Sequence, residues 1–504
     1  MHCRGFKLSL LFVLLSIISL NARIKLSGII SDNMVLKQKA NIPLWGWENP
    51  GTTVTVFTGW DNKRYSIKTS SYGEWKIYIK TPSAGGPYTI TIEGENKLSL
   101  KNVLIGEVWL SSGQSNMEWT LRRDKDAAIA FESVDNPNIR LFKVPRQVSD
   151  FPQKEFGGDA SWKICNKESA ENFSAMTYYF AANLYKKLGI PIGIINASWG
   201  GTGIEAWISN QVIFSDSILQ KPADRWQYWL SVYSADSLKY EQDKAAWKQD
   251  SIKGIKKSRP KEPQSLVSIN RPHRKHGVLY NGMISPCIPY ALTGILWYQG
   301  TSNVNWANEY EYQLSSLITS WRKSWDIDNL YALVGQLTAY NYASPDNASI
   351  LRQAQLNQRK LKNTYVFCSI DLGEAKEIHP PKKIQYGERF AYLALNKVYK
   401  IKNIPFTSPI LKKVERKDNS LIISFEYAEG LKIKGDKLND IFISEDGINF
   451  VPADTYIHNN KLIVYKDNIK QPVAVKYAWN NTVNANLFNG NDLPAFPFSY
   501  SLNK

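Results

Sequence analysis

The chain has 504 residues, 43% of them hydrophobic and 21% charged. That is an ordinary globular composition, and it excludes disordered and fibrous classes. The formal net charge is +17, but the basic residues are spread along the chain without a nucleic-acid motif. The excess therefore reads as solvated surface, or as a field that steers an anionic partner such as an acidic glycan.

At the N-terminus, His2, Arg4 and Lys7 precede an apolar run over residues 8–20, and small residues follow at Asn21 and Ala22. The run is short for a membrane span and reads as a secretory signal peptide, residues 1–22. The expected protein is secreted or periplasmic, with no membrane span once the signal is removed. Cys3 would leave with the signal. Cys165, Cys287 and Cys368 would remain, an odd number that permits at most one internal disulfide. Their spacing does not suit zinc.

Residues 23–101 read as β structure. Apolar runs of strand length at 54–57, 74–79 and 88–92 are separated by the turn chemistry of Asn49-Pro50-Gly51 and Gly85-Gly86-Pro87. A small β-sandwich is expected there. Residues 102–403 alternate strands with helices. Strands are expected at 103–110, 192–195, 292–297, 330–337 and 365–370. Helices are expected at 175–188, with Ser174 as N-cap and Gly189 as the stop, and at 310–325, 350–361 and 384–399. That alternation predicts an α/β unit, a parallel sheet covered on both faces. Residues 209–276 interrupt it with a helical, polar and basic insertion. There Trp226, Trp229 and Trp247 either stack on sugar rings or pack the insertion onto the body. From 404 to 504 the β pattern returns, with runs at 421–425, 440–443, 461–464 and 473–478, and predicts a second β-sandwich.

Chemistry is sought at the strand ends, because open α/β sheets place their sites beyond the carboxyl ends of strands. Of the five histidines, His2, His273, His276, His379 and His458, only His379 follows an expected strand of the parallel sheet. A histidine there could be a general base or an ordinary loop residue. Ser115 follows the strand at 103–110 in Ser111-Ser112-Gly113-Gln114-Ser115-Asn116-Met117. It could cap a helix, or act as a nucleophile whose own N–H stabilises an oxyanion. It is not a Gly-x-Ser-x-Gly elbow, because Met117 replaces the second glycine. Asn196-Ala197-Ser198-Trp199-Gly200-Gly201-Thr202 and Tyr298-Gln299-Gly300-Thr301-Ser302-Asn303 follow two further strands.

Four segments, Gly113-Gln114-Ser115-Asn116-Met117-Glu118, Ser198-Trp199-Gly200-Gly201-Thr202, Trp297-Tyr298-Gln299-Gly300 with Ser302-Asn303, and Ile378-His379-Pro380, resemble the ordered blocks of the SGNH/GDSL hydrolase superfamily. They are most similar to its sialate O-acetylesterase branch, and the resemblance covers nearly the whole exported chain. It implies an SGNH-type three-layer core over 102–403 between the two β-sandwich regions. It also implies a serine esterase that releases acetate from O-acetylated sialic acids. An esterase for acetylated plant polysaccharide such as xylan is the alternative, and a non-catalytic glycan-binding protein a remote one.

By resemblance, Ser115 is the nucleophile and His379 the base. The N–H groups of Ser115 and Gly201 and the amide of Gln299 form the oxyanion hole. Asn116, Glu205, Trp207 and Asn303 are candidate substrate contacts, although Glu205 and Trp207, just past the second block, read equally well as ordinary start-of-helix and core residues. The branch has a glutamate where this chain has Thr301, and the superfamily often has an aspartate where this chain has Lys376. Glu377 is then the expected third triad member, with Glu374, Asp371 or a backbone carbonyl as substitutes. Neither metal nor cofactor is implied, and no nucleic-acid partner.

Overall fold

The structure is a computed structural model and describes residues 23–342, 344 and 346–502. The expected signal peptide, 1–22, lies outside the described residues. One 17-residue strand, β1 (Lys97–Gly113), organises the molecule. Its first half alternates exposed and covered residues. It pairs antiparallel with Gly85–Glu93, and the strand Val35–Lys37 joins it in parallel at 104–106. From Val103 onward every residue is buried, as a strand covered on both faces requires. The expected boundary at 101/102 falls inside this continuous strand.

The second half of β1 sits in the middle of a larger sheet. The order is an edge strand Lys163–Cys165, then β2 (Asn136–Lys143), β3 (Ile192–Ser198), β1, β4 (Gly294–Tyr298), β5 (Tyr331–Gly335) and β6 (Thr364–Phe367). Neighbours from β2 to β6 are parallel. Five of these strands match expected ones. β2 was not anticipated, because Arg140 splits the three apolar residues Ile139, Leu141 and Phe142 that follow Asn-Pro-Asn. The guanidinium is buried there, donating to the carbonyls of Pro137, Asn33 and Asn102.

Alternate residues of the strands feed two apolar clusters. Val108, Leu110, Ile295 and Trp297 pack on one face with Leu314, Leu317 and Trp321 of α3 (Ala307–Trp325) and Leu351 of α4 (Asn347–Asn357). Trp109, Leu296 and Tyr298 pack on the other with Phe180 and Leu184 of α1 (Ala175–Leu188) and Phe390 of α5 (Ile384–Leu393). The ends of α1 follow from its caps. The Ser174 hydroxyl accepts from the Thr177 N–H, and Gly189 stops the helix at φ +65°.

The insertion is dominated by the 36-residue helix α2 (Ser217–Ile252). Its tryptophans pack. Trp226 is buried, Trp229 lies against Trp306 with ring centroids 6.0 Å apart, and the Trp247 indole N–H donates to the Lys257 carbonyl. C-terminal strands form two four-stranded sheets and a two-stranded one. Buried Arg352 of α4 ties them to the body through the carbonyls of Leu337, Asn480 and Asn481. Cys165, Cys287 and Cys368 are buried and unpaired. No described helix is long and apolar enough to cross a membrane.

Candidate active site

Gly113 at the end of β1 is in register with Ser198 of β3 and Tyr298 of β4. Three strands thus end at one level, and their loops leave side by side. Beyond Gly113 the chain turns sharply and Ser115 opens the helical turn Ser115–Glu118. The segment after β6 returns over the same edge. It brings His379 Nε2 to 2.8 Å from Ser115 Oγ, across 264 positions of sequence.

The histidine segment is held from several sides. Asn116 Nδ2 donates to the Ile378 carbonyl at 3.1 Å. Lys383 Nζ donates to Asn116 Oδ1 and to the Pro380 carbonyl, both at 2.6 Å. The Trp119 ring stacks on the imidazole with centroids 5.6 Å apart, and the Arg123 guanidinium lies 3.9 Å from the Trp119 ring centre. Burial holds the His379 pKa below its usual 6.5; Lys383 and Arg123 lower it further, and Glu377 opposes them. Burial also pushes Lys383 down to about 7. A neutral amine keeps two N–H donors, enough for both acceptors.

On the other side of Ser115 lies the Gly200–Gly201 turn. The Gly200 N–H donates to Glu118 Oε2 at 2.9 Å, and Glu118 is ion-paired with Arg146. A Cβ on Gly200 would sit 3.3 Å from the Ser115 Cβ, so the turn abuts the serine. The N–H groups of Ser115 and Gly201 donate to no acceptor among the described residues.

Gln299 is placed differently from the expected oxyanion donor. Its amide N–H groups donate to the Thr202 carbonyl at 3.1 Å and to Asn303 Oδ1 at 2.6 Å, while its Oε1 accepts from the Tyr310 hydroxyl. Asn303 in turn donates to Glu205 Oε2 at 2.8 Å and accepts from the Ile204 N–H. Gln299, Asn303 and Glu205 therefore form a buried network that fixes the turn carrying Gly201. Burial raises the Glu205 pKa. Trp207 is 0% exposed and its indole N–H donates to Thr202 Oγ1, so its ring faces no surface that a substrate could reach. Asn116 is buried and clamps the histidine segment.

The carboxylates near His379 also separate. Glu377 Oε1 lies 4.0 Å from His379 Nδ1 and accepts from the His379 backbone N–H at 2.7 Å. Asp371 is held by both nitrogens of the Arg389 fork, away from the imidazole. Glu374 gives its backbone carbonyl to the Glu377 N–H. The other described histidines are elsewhere. His273 stacks on Trp199, His276 bonds Asn210, and His458 lies on an outer C-terminal strand. Lys383 and Trp119 escaped sequence reading. Lys383 stands in Pro-Pro-Lys-Lys, which looks like solvated surface, and Trp119 directly follows the serine block without a pattern of its own. A serine hydroxyl bonded to a neutral imidazole, next to two unpaired N–H groups, is equipped for acyl transfer.

Comparison with known proteins agrees with that chemistry. The profile of the family described as carbohydrate esterase, sialic acid-specific acetylesterase, matches residues 105–227 and 267–396. The mouse sialate O-acetylesterase is 26% identical over 508 residues, covering 90% of this chain and 89% of its own. Its human counterpart is 26% identical over 507 residues, covering 90% and 87%. Among solved structures, XAC1771, a carbohydrate acetylesterase from Xanthomonas citri, superposes with a TM-score of 0.81. The identity is 28%, and the match covers 95% of this chain and all of the other.

Proposed function

Because this chain belongs to the sialic acid-specific acetylesterase family of carbohydrate esterases, we propose that it removes O-acetyl groups from sialic acids, with Ser115 as nucleophile and His379 as base. The observation that carries this reading is the 2.8 Å contact between Ser115 Oγ and His379 Nε2 beside two unpaired N–H groups. Ser115 Oγ attacks the acetyl carbonyl carbon as its proton passes to Nε2. The N–H groups of Ser115 and Gly201 hold the resulting oxyanion. Collapse of the adduct breaks the ester C–O bond, and the sugar oxygen leaves with the proton from His379. Water, deprotonated by the same imidazole, then attacks the acetyl-serine and releases acetate.

The same reading takes 102–403 as an SGNH-type three-layer core with 209–276 inserted, between β-sandwich regions at 23–101 and 404–504. The family match resumes only after omitting 228–266, a stretch inside that insertion. Residues 1–22 would direct export, and an O-acetylated carbohydrate is the partner.

The test is acetate release by the mature protein from 9-O-acetylated sialic acid and from acetylated xylan in parallel. Release from the sialic acid supports the substrate. Release from xylan alone keeps the chemistry and overturns the substrate.

Two further results are expected. Glu377→Gln should lower kcat/KM by about tenfold or less, measured with 4-nitrophenyl acetate. At 4.0 Å its carboxylate is beyond hydrogen-bond length from Nδ1, whereas a bonded triad carboxylate contributes roughly 10⁴-fold. A 10⁴-fold loss would mean that Glu377 closes on the ring during turnover. The pH profile of kcat/KM should fall on the acid side with a midpoint below 6.5, because His379 must be neutral to take the proton. Lys383→Met removes a cation that disfavours the imidazolium, so it should move that midpoint upward.

A further inference from the structure

The Gly200–Gly201 turn carries a second charged group against its outer side. A Cβ on Gly201 would sit 3.1 Å from Arg274 Nη2. The neighbouring Gly200 abuts Ser115, one Cα step of ~3.8 Å away, so the Arg274 guanidinium lies within roughly 15 Å of the proposed nucleophile. Arg274 comes from the far end of the insertion, in the turn Pro272–Arg274.

Its neighbours of the same charge are engaged. Arg146 pairs with Glu118, and Arg271 donates to the Val267 carbonyl and faces Glu262 at 3.7 Å. Arg274 makes no side-chain hydrogen bond or ion pair among the described residues, and its Nε is buried without a partner. Glu205 and Glu262 act on it only from beyond ion-pair distance. A guanidinium withdrawn from water without a counter-ion is costly. A planar fork of donors matches a carboxylate in two parallel hydrogen bonds.

We infer that Arg274, standing beside the Gly200–Gly201 turn, binds the carboxylate of the acetylated sugar and so makes the enzyme selective for acidic substrates. This rests on the esterase reading of the same site and adds to it the group that reads the substrate's charge. The insertion then has a role at the site: it delivers a cation beside a turn otherwise flanked by strand-end loops. Glu205, Asn303 and Gln299 hold the turn, and Arg274 reads what lies beyond it.

The experiment compares kcat/KM for 9-O-acetyl-N-acetylneuraminic acid and for its C1 methyl ester, in the parent and in Arg274→Met. The readout is the ratio within one enzyme, so a general loss from misfolding cancels. The parent is expected to prefer the free acid by ~10–100-fold, the range of a hydrogen-bonded charge. Arg274→Met should bring the ratio close to one, and Arg274→Lys should restore part of it. A parent that treats acid and methyl ester alike overturns the proposal, as does a preference that survives in Arg274→Met. If the parent cleaves 4-nitrophenyl acetate but neither sialate, the sialic acid reading fails by itself. The same acid-against-methyl-ester comparison on O-acetylated galacturonate then decides Arg274: a preference lost in Arg274→Met supports it, and no preference overturns it.

Discussion

Ser115→Ala is expected to lower kcat by roughly 10⁴- to 10⁶-fold, the range seen when a hydrolytic nucleophile is removed from a working triad. The substitution deletes one oxygen whose side-chain partner is His379 Nε2, so the folded state should lose little. Thermal unfolding would confirm that the variant is intact. His379→Ala should be about as inactive, because neither group works without the other. The sharper test is the double variant. If the two residues act as one unit, Ser115→Ala combined with His379→Ala should be no worse than either alone. Multiplicative losses would mean that they contribute independently. Full activity in Ser115→Ala would sink the serine mechanism and point to a different nucleophile.

The parts of this arrangement that could be read from sequence are those fixed by backbone position. Ser115 and His379 are both tied to strand ends, and a parallel sheet brings strand ends together whatever lies between them. Helix α1 was legible to its last residue because Ser174 and Gly189 satisfy its terminal groups locally. What failed to show was the direction of side chains. Gln299 follows a strand as an oxyanion donor would, yet its amide turns into the loop because Thr202 and Asn303 offer acceptors there. Trp207 has the size of a sugar platform, but its ring is completely covered. β2 was hidden for the opposite reason, since a buried charge, Arg140, interrupts the apolar run that would mark a strand. Arg274 was hidden inside a basic stretch whose other members are solvated or paired. Whether a lone cation is free depends on three-dimensional neighbours, which composition does not carry.

Lys383 joins the two halves of the proposed site. It connects Asn116, next to Ser115, to Pro380, next to His379. Its burial gives it a pH signature distinct from that of catalysis. The folded-state value is depressed to about 7 from 10.5, so the unfolded chain binds the extra proton throughout that interval. Stability from this group therefore rises with pH between about 7 and 10.5 and levels off below about 7, where the folded and unfolded chains both carry the proton. The activity limb set by His379 lies lower, below 6.5, so thermal stability and kcat/KM should depend on pH over different ranges.

Gly113→Ala should damage both stability and turnover, more than any other single methyl added near the site. Gly113 has φ +143°, and its ideal Cβ would lie 2.1 Å from the Tyr298 carbonyl oxygen and 2.8 Å from its carbon. The obstacle is the backbone of β4, which cannot rotate away as a side chain could. It is also fixed by the Gln114 N–H donating to the same Tyr298 oxygen at 3.2 Å, while Gly113 accepts from the Trp199 N–H at 3.1 Å. Relief would require the turn to part from β3 or β4, and Ser115 would move with it. A displacement of ~1 Å at a reacting group can cost ~100-fold, so kcat should fall at least that far, with a clearly lower unfolding midpoint. Gly189→Ala is the control. Gly189 also has a positive φ, +65°, but an added Cβ there meets nothing within 4 Å. It should cost only ~1–2 kcal/mol for the left-handed conformation and leave kcat unchanged. Comparable losses in the two variants would show that backbone sign alone matters and that the close approach of β1 to β4 does not set the serine. A large loss confined to Gly113→Ala would tie the position of the nucleophile to that strand contact.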